Sequence, residues 1–155
     1  MSLDQFDLRI LTALQRDGTL TNGALSEIVN LSPSQCSRRR SALEAAGYIE
    51  SYHARLDAGK LGFNIRAFVR VSLHAHGKED HTDFSRWLAD QPEVQSAFSV
   101  SGSADYLLDV RVRDLDRFAD FVHEKLLILP QVAQVQSDFV LKTMKADSDL
   151  DIAGV

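Results

Sequence analysis

The chain of 155 residues is 45% hydrophobic and 25% charged, a composition expected of a soluble globular protein with room for one domain or two small ones. Its net charge of −5 excludes a uniformly basic nucleic-acid binder, yet the charge is uneven. Residues 1–57 carry six arginines against seven acids, three of the arginines being consecutive at Arg38–Arg40, while the remainder carries eleven basic and fifteen acidic residues. A locally positive face is all that DNA requires. One cysteine excludes an intrachain disulfide, and no signal peptide or membrane span is evident, so a reducing cytoplasm is expected and no membrane partner.

Taken in order, Phe6, Ile10, Ala13 and Leu14 recur at helical spacing after Leu3-Asp4, with Asp7 in the first turn and Gly18 as the stop. Thr21 is an N-cap for a second, two-turn helix carrying Leu25, Ile28 and Val29. Asn30-Leu31-Ser32 connects it to a third, and Asn30 stands where the turn wants a positive φ. The third helix has explicit ends: Ser32 as N-cap, Pro33 at the first helical position, Gln35 completing an S-x-x-Q capping box and Gly47 as the left-handed terminator.

At about 100° per residue, Cys36 and Leu43 share a narrow face, and Ser34, Arg38, Ser41 and Ala45 lie opposite. A helix with a small, polar, cationic face fits a groove about 12 Å wide, so residues 1–50 read as a three-helix DNA-binding domain of the winged helix-turn-helix type. Tyr48 to Leu56 alternates apolar and polar residues, as a wing or first strand would, and Asp57-Ala58-Gly59-Lys60-Leu61-Gly62 reads as a hinge within a linker spanning 51–64.

From Ile65 the period becomes two. Ile65, Ala67, Val69, Val71, Leu73 and Ala75 line one face of a strand, and Phe68 breaks the polar face opposite. A helix over Lys78–Gln91 buries Phe84, Trp87 and Leu88; strands follow over Val94–Val100 and Tyr106–Val112, joined by the turn at Ser101–Asp105. Asp114 caps a helix with Leu115, Phe118, Ala119, Val122 and Leu126 on one stripe, and Gln131–Lys145 is the last strand. The order βαββαβ over 65–145 is the ferredoxin-like split motif, giving an α+β protein of two domains, with 146–155 as a flexible acidic tail. Both helices on one side of the sheet leave its other face bare, which a second copy would cover.

Several separated signatures in order carry a resemblance. They are Leu3-Asp4 with Asp7 and Ile10-Leu11; Leu31-Ser32-Pro33 with Arg39 and Leu43-Glu44; Gly47-Tyr48-Ile49 with Tyr52; Leu61-Gly62; Gly102-Ser103-Ala104-Asp105-Tyr106; Leu129-Pro130 with Val132; and Ser137 to Leu141. From Leu3 to about Lys145 the chain resembles the leucine-responsive and asparagine-synthetase-regulator (Lrp/AsnC) family of transcription factors. Arg40 departs from that pattern, standing where an apolar residue is usual, as do Ser41-Ala42 where basic residues are common and Asn30 and Gln131 where glycine is frequent.

The resemblance implies a sequence-specific regulator with a small-molecule effector, usually an amino acid, bound near the Gly102 turn between dimers. It also implies a homodimer assembling further, to an octamer for example. On the DNA side Arg38 is the expected base contact, Ser34, Gln35, Ser37 and Ser41 add base or phosphate hydrogen bonds, and Arg39 and Arg40 reach phosphates or brace the helix. On the effector side, backbone N–H groups around Ser101, Gly102 and Ser103 would hold a carboxylate, Asp105 would pair with an α-ammonium beside Tyr106, and Gln134, Gln136 and Ser137 would form the opposite wall.

No catalytic residue, metal or cofactor is expected. His74, His76 and His81 read as solvated histidines, and Cys36 as a small core residue. Two rivals share the architecture: a DNA-compacting protein without effector, and an enzyme like the tetrapyrrole decarboxylases that resemble this family, which would need a porphyrin-sized cavity lined by histidine and arginine and a degenerate recognition helix.

Overall fold

This computed structural model describes residues 2–74, 78–146 and 149–152. The chain divides into two compact units, Met1–Arg55 with Lys145–Val155, and Leu56–Met144.

In the first unit the end signals are realised. Helix α1 (Gln5–Arg16) starts at Asp4, whose carboxylate accepts from the Phe6 and Asp7 amides while Asp7 accepts from the Asp4 N–H at 3.1 Å. Helix α2 (Asn22–Val29) is capped by Thr21 and ends at Asn30 in the left-handed region, φ 57° and ψ 48°. Helix α3 (Pro33–Ala45) has the Ser32–Gln35 capping box. It closes where Gly47 turns to φ 78° and the Tyr48 and Gly47 amides donate to the Leu43 and Glu44 carbonyls. Ile10, Leu14, Leu25, Val29, Cys36 and Leu43 form the core, with Ile49 packed against it. Of α3, only Cys36 and Leu43 are buried.

Two expectations for this unit change. Tyr48 to Leu56 forms no strand within the chain. Ile49 instead joins the core and the Tyr52 ring lies against Gly18, where a Cβ would stand 3.1 Å from Tyr52 Cδ1. The acidic tail does not hang free at Asp149 and Leu150. Leu150 exchanges hydrogen bonds of 3.0 and 3.2 Å with the Gln15 side chain, and Asp149 pairs with Arg16 at 3.4 Å.

The second unit is a four-stranded antiparallel sheet in the order β2-β3-β1-β4, from β1 (Ile65–Leu73), β2 (Val94–Ser99), β3 (Tyr106–Val112) and β4 (Val132–Phe139). Helices α4 (Lys78–Ala89) and α5 (Leu115–Asp120) lie between strands in sequence, completing βαββαβ. Alternate residues of β1 and β3, among them Val69, Val71, Leu108 and Val110, are fully buried against Phe84, Phe121 and Leu126 of the helices. Strand β4 stops at Phe139 rather than Lys145 because its partner runs out: Val140 donates to Arg66 at the start of β1, and Leu141 beyond is 97% exposed. The expected hinge is a folded turn, with Phe63 N–H donating to Ala58 and Lys60 N–H to the Asp57 carboxylate.

The stripe expected on α5 is also redrawn. The helix continues from Phe121 to Leu126 as a π-helical turn. Its wider turn brings residues five apart onto one face, so Phe121 and Leu126 are buried with Phe118 whereas Leu115 and Ala119 are exposed. Trp87, the chain's single tryptophan, packs on this core, so its fluorescence follows unfolding of the sheet unit. Leu108→Ala is expected to lower the free energy that Trp87 reports in urea by about 2–5 kcal/mol, the usual cost of a leucine-sized cavity.

Candidate DNA interface and ligand turn

Two buried side chains are little to hold a thirteen-residue helix, and α3 is held by charge as well. Arg39 Nη1 lies 2.7 Å from Asp7 Oδ1 and 2.8 Å from Asp4 Oδ2, with its guanidinium over the Phe6 ring. Asp7 is 3% exposed, so this contact satisfies a carboxylate removed from water. The Asp7 amide, then Arg39, hold the Asp4 carboxyl below its ordinary value, and the Asp7 carboxylate holds the Arg39 guanidinium above its own.

Arg40 is likewise engaged. Its Nε donates to Tyr52 Oη at 2.9 Å and to Glu44 Oε1 at 3.2 Å, and Nη1 donates to the Leu20 carbonyl at 2.9 Å. Its guanidinium sits over the Tyr52 ring, 4.6 Å from the centroid. Tyr52 in turn donates to Glu44 at 2.9 Å, and burial, then that carboxylate, push its phenol up. Between bracing the helix and reaching phosphates, the geometry of Arg39 and Arg40 is that of braces.

Arg38 is different. It is exposed and makes no hydrogen bond or ion pair among the described residues. Ser34, Ser37 and Ser41 are exposed on the same helix; Gln35 is exposed too, but its Oε1 is occupied by the Ser32 N–H and hydroxyl, leaving its amide nitrogen for other partners. Cys36 is fully buried, and that burial pushes its thiol up.

In the second unit Gly102 has φ 128°, a conformation side chains rarely adopt, and Ser101, Gly102 and Ser103 are exposed. Asp105 is fastened at three atoms: Oδ2 accepts from the Leu73 amide at 2.7 Å, its N–H donates to Val71 and its carbonyl accepts from Val100. The Ser103 carbonyl accepts from Ser72 Oγ at 3.3 Å, and Ser72 stands opposite Gln134 across the β1–β4 ladder. The turn and Gln134 are thus neighbours around Ser72.

Tyr106 and Ser137 do not join them. Tyr106 is buried on the helix side, its ring against Phe84 and its hydroxyl 2.9 Å from His81 Nδ1, and it lines an open cleft of about 470 Å³ between α4 and β2. Ser137 stands opposite buried Val69, so its side chain shares that side, while Gln134 and Gln136 share the open side with Ser72 and Arg70. Of the three histidines, His76 lies outside the described residues, and among those described no three His, Cys, Asp or Glu side chains gather as a metal site.

Two family models match the chain: a winged helix-turn-helix DNA-binding domain over residues 3–50 and the Lrp/AsnC ligand binding domain over residues 66–150. The chain belongs to the Lrp/AsnC family. It is 39% identical to the Bkd operon transcriptional regulator of Pseudomonas aeruginosa, over 92% of this chain and 93% of that one. It is 36% identical to the leucine-responsive regulatory protein of Rhizobium meliloti, over 98% and 97%. A transcriptional regulator of Neisseria meningitidis, solved as a complex with L-Met, superposes with a TM-score of 0.95 at 41% identity, covering 98% of both chains.

The α+β, two-domain reading therefore stands, and this Lrp/AsnC chain is a DNA-binding transcriptional regulator. Sequence reasoning missed Arg40 and Tyr52 as partners and the sheet-face pair Arg66–Asp109, which is bidentate at 2.9 and 2.6 Å. For the last a signal existed, because Asp109 is the lone acid in β3 and β1 carries two arginines on its polar face, Arg66 and Arg70. Since Asp4 is depressed in the folded chain, its contribution is present above an unfolded value of about 3.9 and is lost as pH falls through the lowered folded value. Asp4→Ser keeps a cap but removes that titration, so its melting temperature is expected to fall less than that of the parent chain between about pH 5 and pH 3.

Proposed function

We propose that this regulator reads operator DNA as a homodimer through the Arg38 side of α3, and that an amino acid held at the Ser101–Asp105 turn tunes that reading. The observation that carries the DNA half is the division of labour in the arginine triplet: Arg39 and Arg40 are spent on the fold, and Arg38 is exposed and uncommitted among the described residues. A guanidinium in that position can take guanine O6 and N7 together. Ser34, Ser37, Ser41 and the Gln35 amide supply shorter polar contacts to bases and phosphates.

The effector half rests on the turn and on the L-Met complex of the Neisseria protein. With Oδ2 taken by Leu73, Asp105 keeps Oδ1 for an α-ammonium, while exposed amides around Gly102 face a carboxylate; Gln134 is near enough through Ser72 to join them. The dimer rests on the open sheet face. It carries Phe68, Leu107 and half-exposed Phe98 beside two ion pairs, Arg66–Asp109 and Arg70–Asp138, so it offers apolar area with most of its charge paired; Arg111, opposite Arg66, has no ion pair among the described residues. Dimers assembling further, to an octamer for example, would place turns at their boundaries. The setting is the cytoplasm; no helix among the described residues is long and apolar enough to cross a membrane.

Arg38→Ala is expected to weaken cognate DNA by about 1–3 kcal/mol while random DNA loses far less, measured by fluorescence anisotropy at fixed salt. Equal losses on both would assign Arg38 to the backbone and favour a DNA-compacting protein. Asp105→Asn keeps the acceptor for Leu73 but loses the charge, so the shift of DNA affinity with a panel of amino acids is expected to vanish while affinity without them is unchanged. An unaltered dose curve would remove Asp105 from the ligand site.

A further inference from the structure

The segment that leaves the DNA-binding unit is fastened at both ends. On its N-terminal side Tyr52 is held by its hydroxyl to Arg40 and Glu44 of α3, by its ring under the Arg40 guanidinium, and by contact with Gly18. Arg40 also holds the Leu20 carbonyl, so one side chain ties the exit segment to α3 and to the loop between α1 and α2. On its C-terminal side Asp57 to Phe63 is a hydrogen-bonded turn. Arg113 at the end of β3 holds that turn, donating to the Leu61 carbonyl at 3.3 Å with its guanidinium 4.8 Å from the centre of the Phe63 ring. Residues 53–56 lie between the two fastenings, and all are exposed with no hydrogen bond or ion pair among the described residues. The division between the compact units falls here, at Arg55 and Leu56.

We propose that the Arg40–Glu44–Tyr52 cluster is a positioning device that keeps the free link to the ligand-binding unit this short, and so fixes which half-site spacing a paired protein accepts. The inference rests on the dimeric reading above. Two recognition helices joined through long, slack links tolerate many separations; joined through short ones, they reach only separations near a whole turn of DNA from one another. Releasing Tyr52 frees the chain back to Ile49, where the core next holds it, and lengthens the slack from residues 53–56 to residues 50–56. Tyr52 itself is not placed on the DNA-reading face.

The test uses the full-length protein. A preferred duplex is selected from random sequence with the parent chain, then remade with its half-sites moved apart in single base-pair steps and also as a lone half-site. The parent chain is expected to lose affinity about tenfold at a half-turn displacement; Tyr52→Phe, keeping the ring, gives an intermediate penalty and Tyr52→Ala one of about twofold, with lone half-site affinity nearly constant at a temperature well below either variant's melting temperature. An unchanged spacing profile in Tyr52→Ala overturns the proposal. So does a profile that flattens only in step with lost half-site affinity. If the parent chain itself shows no spacing preference, the paired reading of DNA fails first, and that outcome is visible without any variant.

Discussion

A helix that enters a DNA groove has to keep its outer side small and polar, which deprives it of the apolar area that normally fixes a helix in a domain. In α3 the shortfall is severe, since Cys36 and Leu43 alone are buried. Cations make up the difference. Arg39 is held by Asp4 and Asp7 of α1, and Arg40 by Glu44, Tyr52 and the Leu20 carbonyl. The same two carboxylates that grip Arg39 also form the α1 capping box, so the start of the first helix and the tilt of the recognition helix rest on one small cluster. A partly buried guanidinium suits this task because its fork of donors meets several acceptors at once, where an apolar side chain would fix distance but not direction.

The sheet unit meets a different demand. One face is closed by α4, α5 and its π-helical extension; the other carries aromatic side chains and two ion pairs made within the chain. Burying such a face against a second copy leaves four of its charges already paired, because Arg66 holds Asp109 through two bonds and Arg70 holds Asp138, and Arg111 would need an acceptor from the partner copy. At the end of this sheet Asp105 is both a fastening and a candidate ligand group. Its bond to the Leu73 amide sets the turn, so a ligand that engages its other oxygen would pull on the end of β1, the strand on which β3 and β4 both pair.

Much of this was legible in the chain. Asp4, Thr21, Ser32, Asn30 and Gly47 each act on backbone groups within a few residues, so their roles follow from residue type and spacing, and all are found where the pattern put them. The period of two in β1 and β3 marks the buried face for the same reason. Parity also carried information left unused: Gln134 and Ser137 are an odd number of residues apart, which in a strand puts them on opposite faces, and Tyr106 alternates with the buried Leu108 and Val110. By contrast, the alternation of Tyr48 to Leu56 marks no buried face: the residues that pack inward, Ile49 and Tyr52, are three apart, a spacing that no strand would put on one side.

The sequence by itself determined the helix ends, the strand faces, the order of elements and, through its separated signatures, the family. These depend on steric and hydrogen-bonding preferences that each residue expresses over a few neighbours. Only the tertiary structure decided which acceptors Arg39 and Arg40 meet, that Asp105 is tied to Leu73, and that Tyr52 fastens the exit of the first unit. Each of those pairings joins residues separated by eight to thirty-two positions, so which arginine meets which acceptor depends on how the packed elements bring their surfaces together. Helical spacing already sets Arg38 opposite the buried seam; what Arg39 and Arg40 hold is decided by the surroundings that the packed elements bring to them.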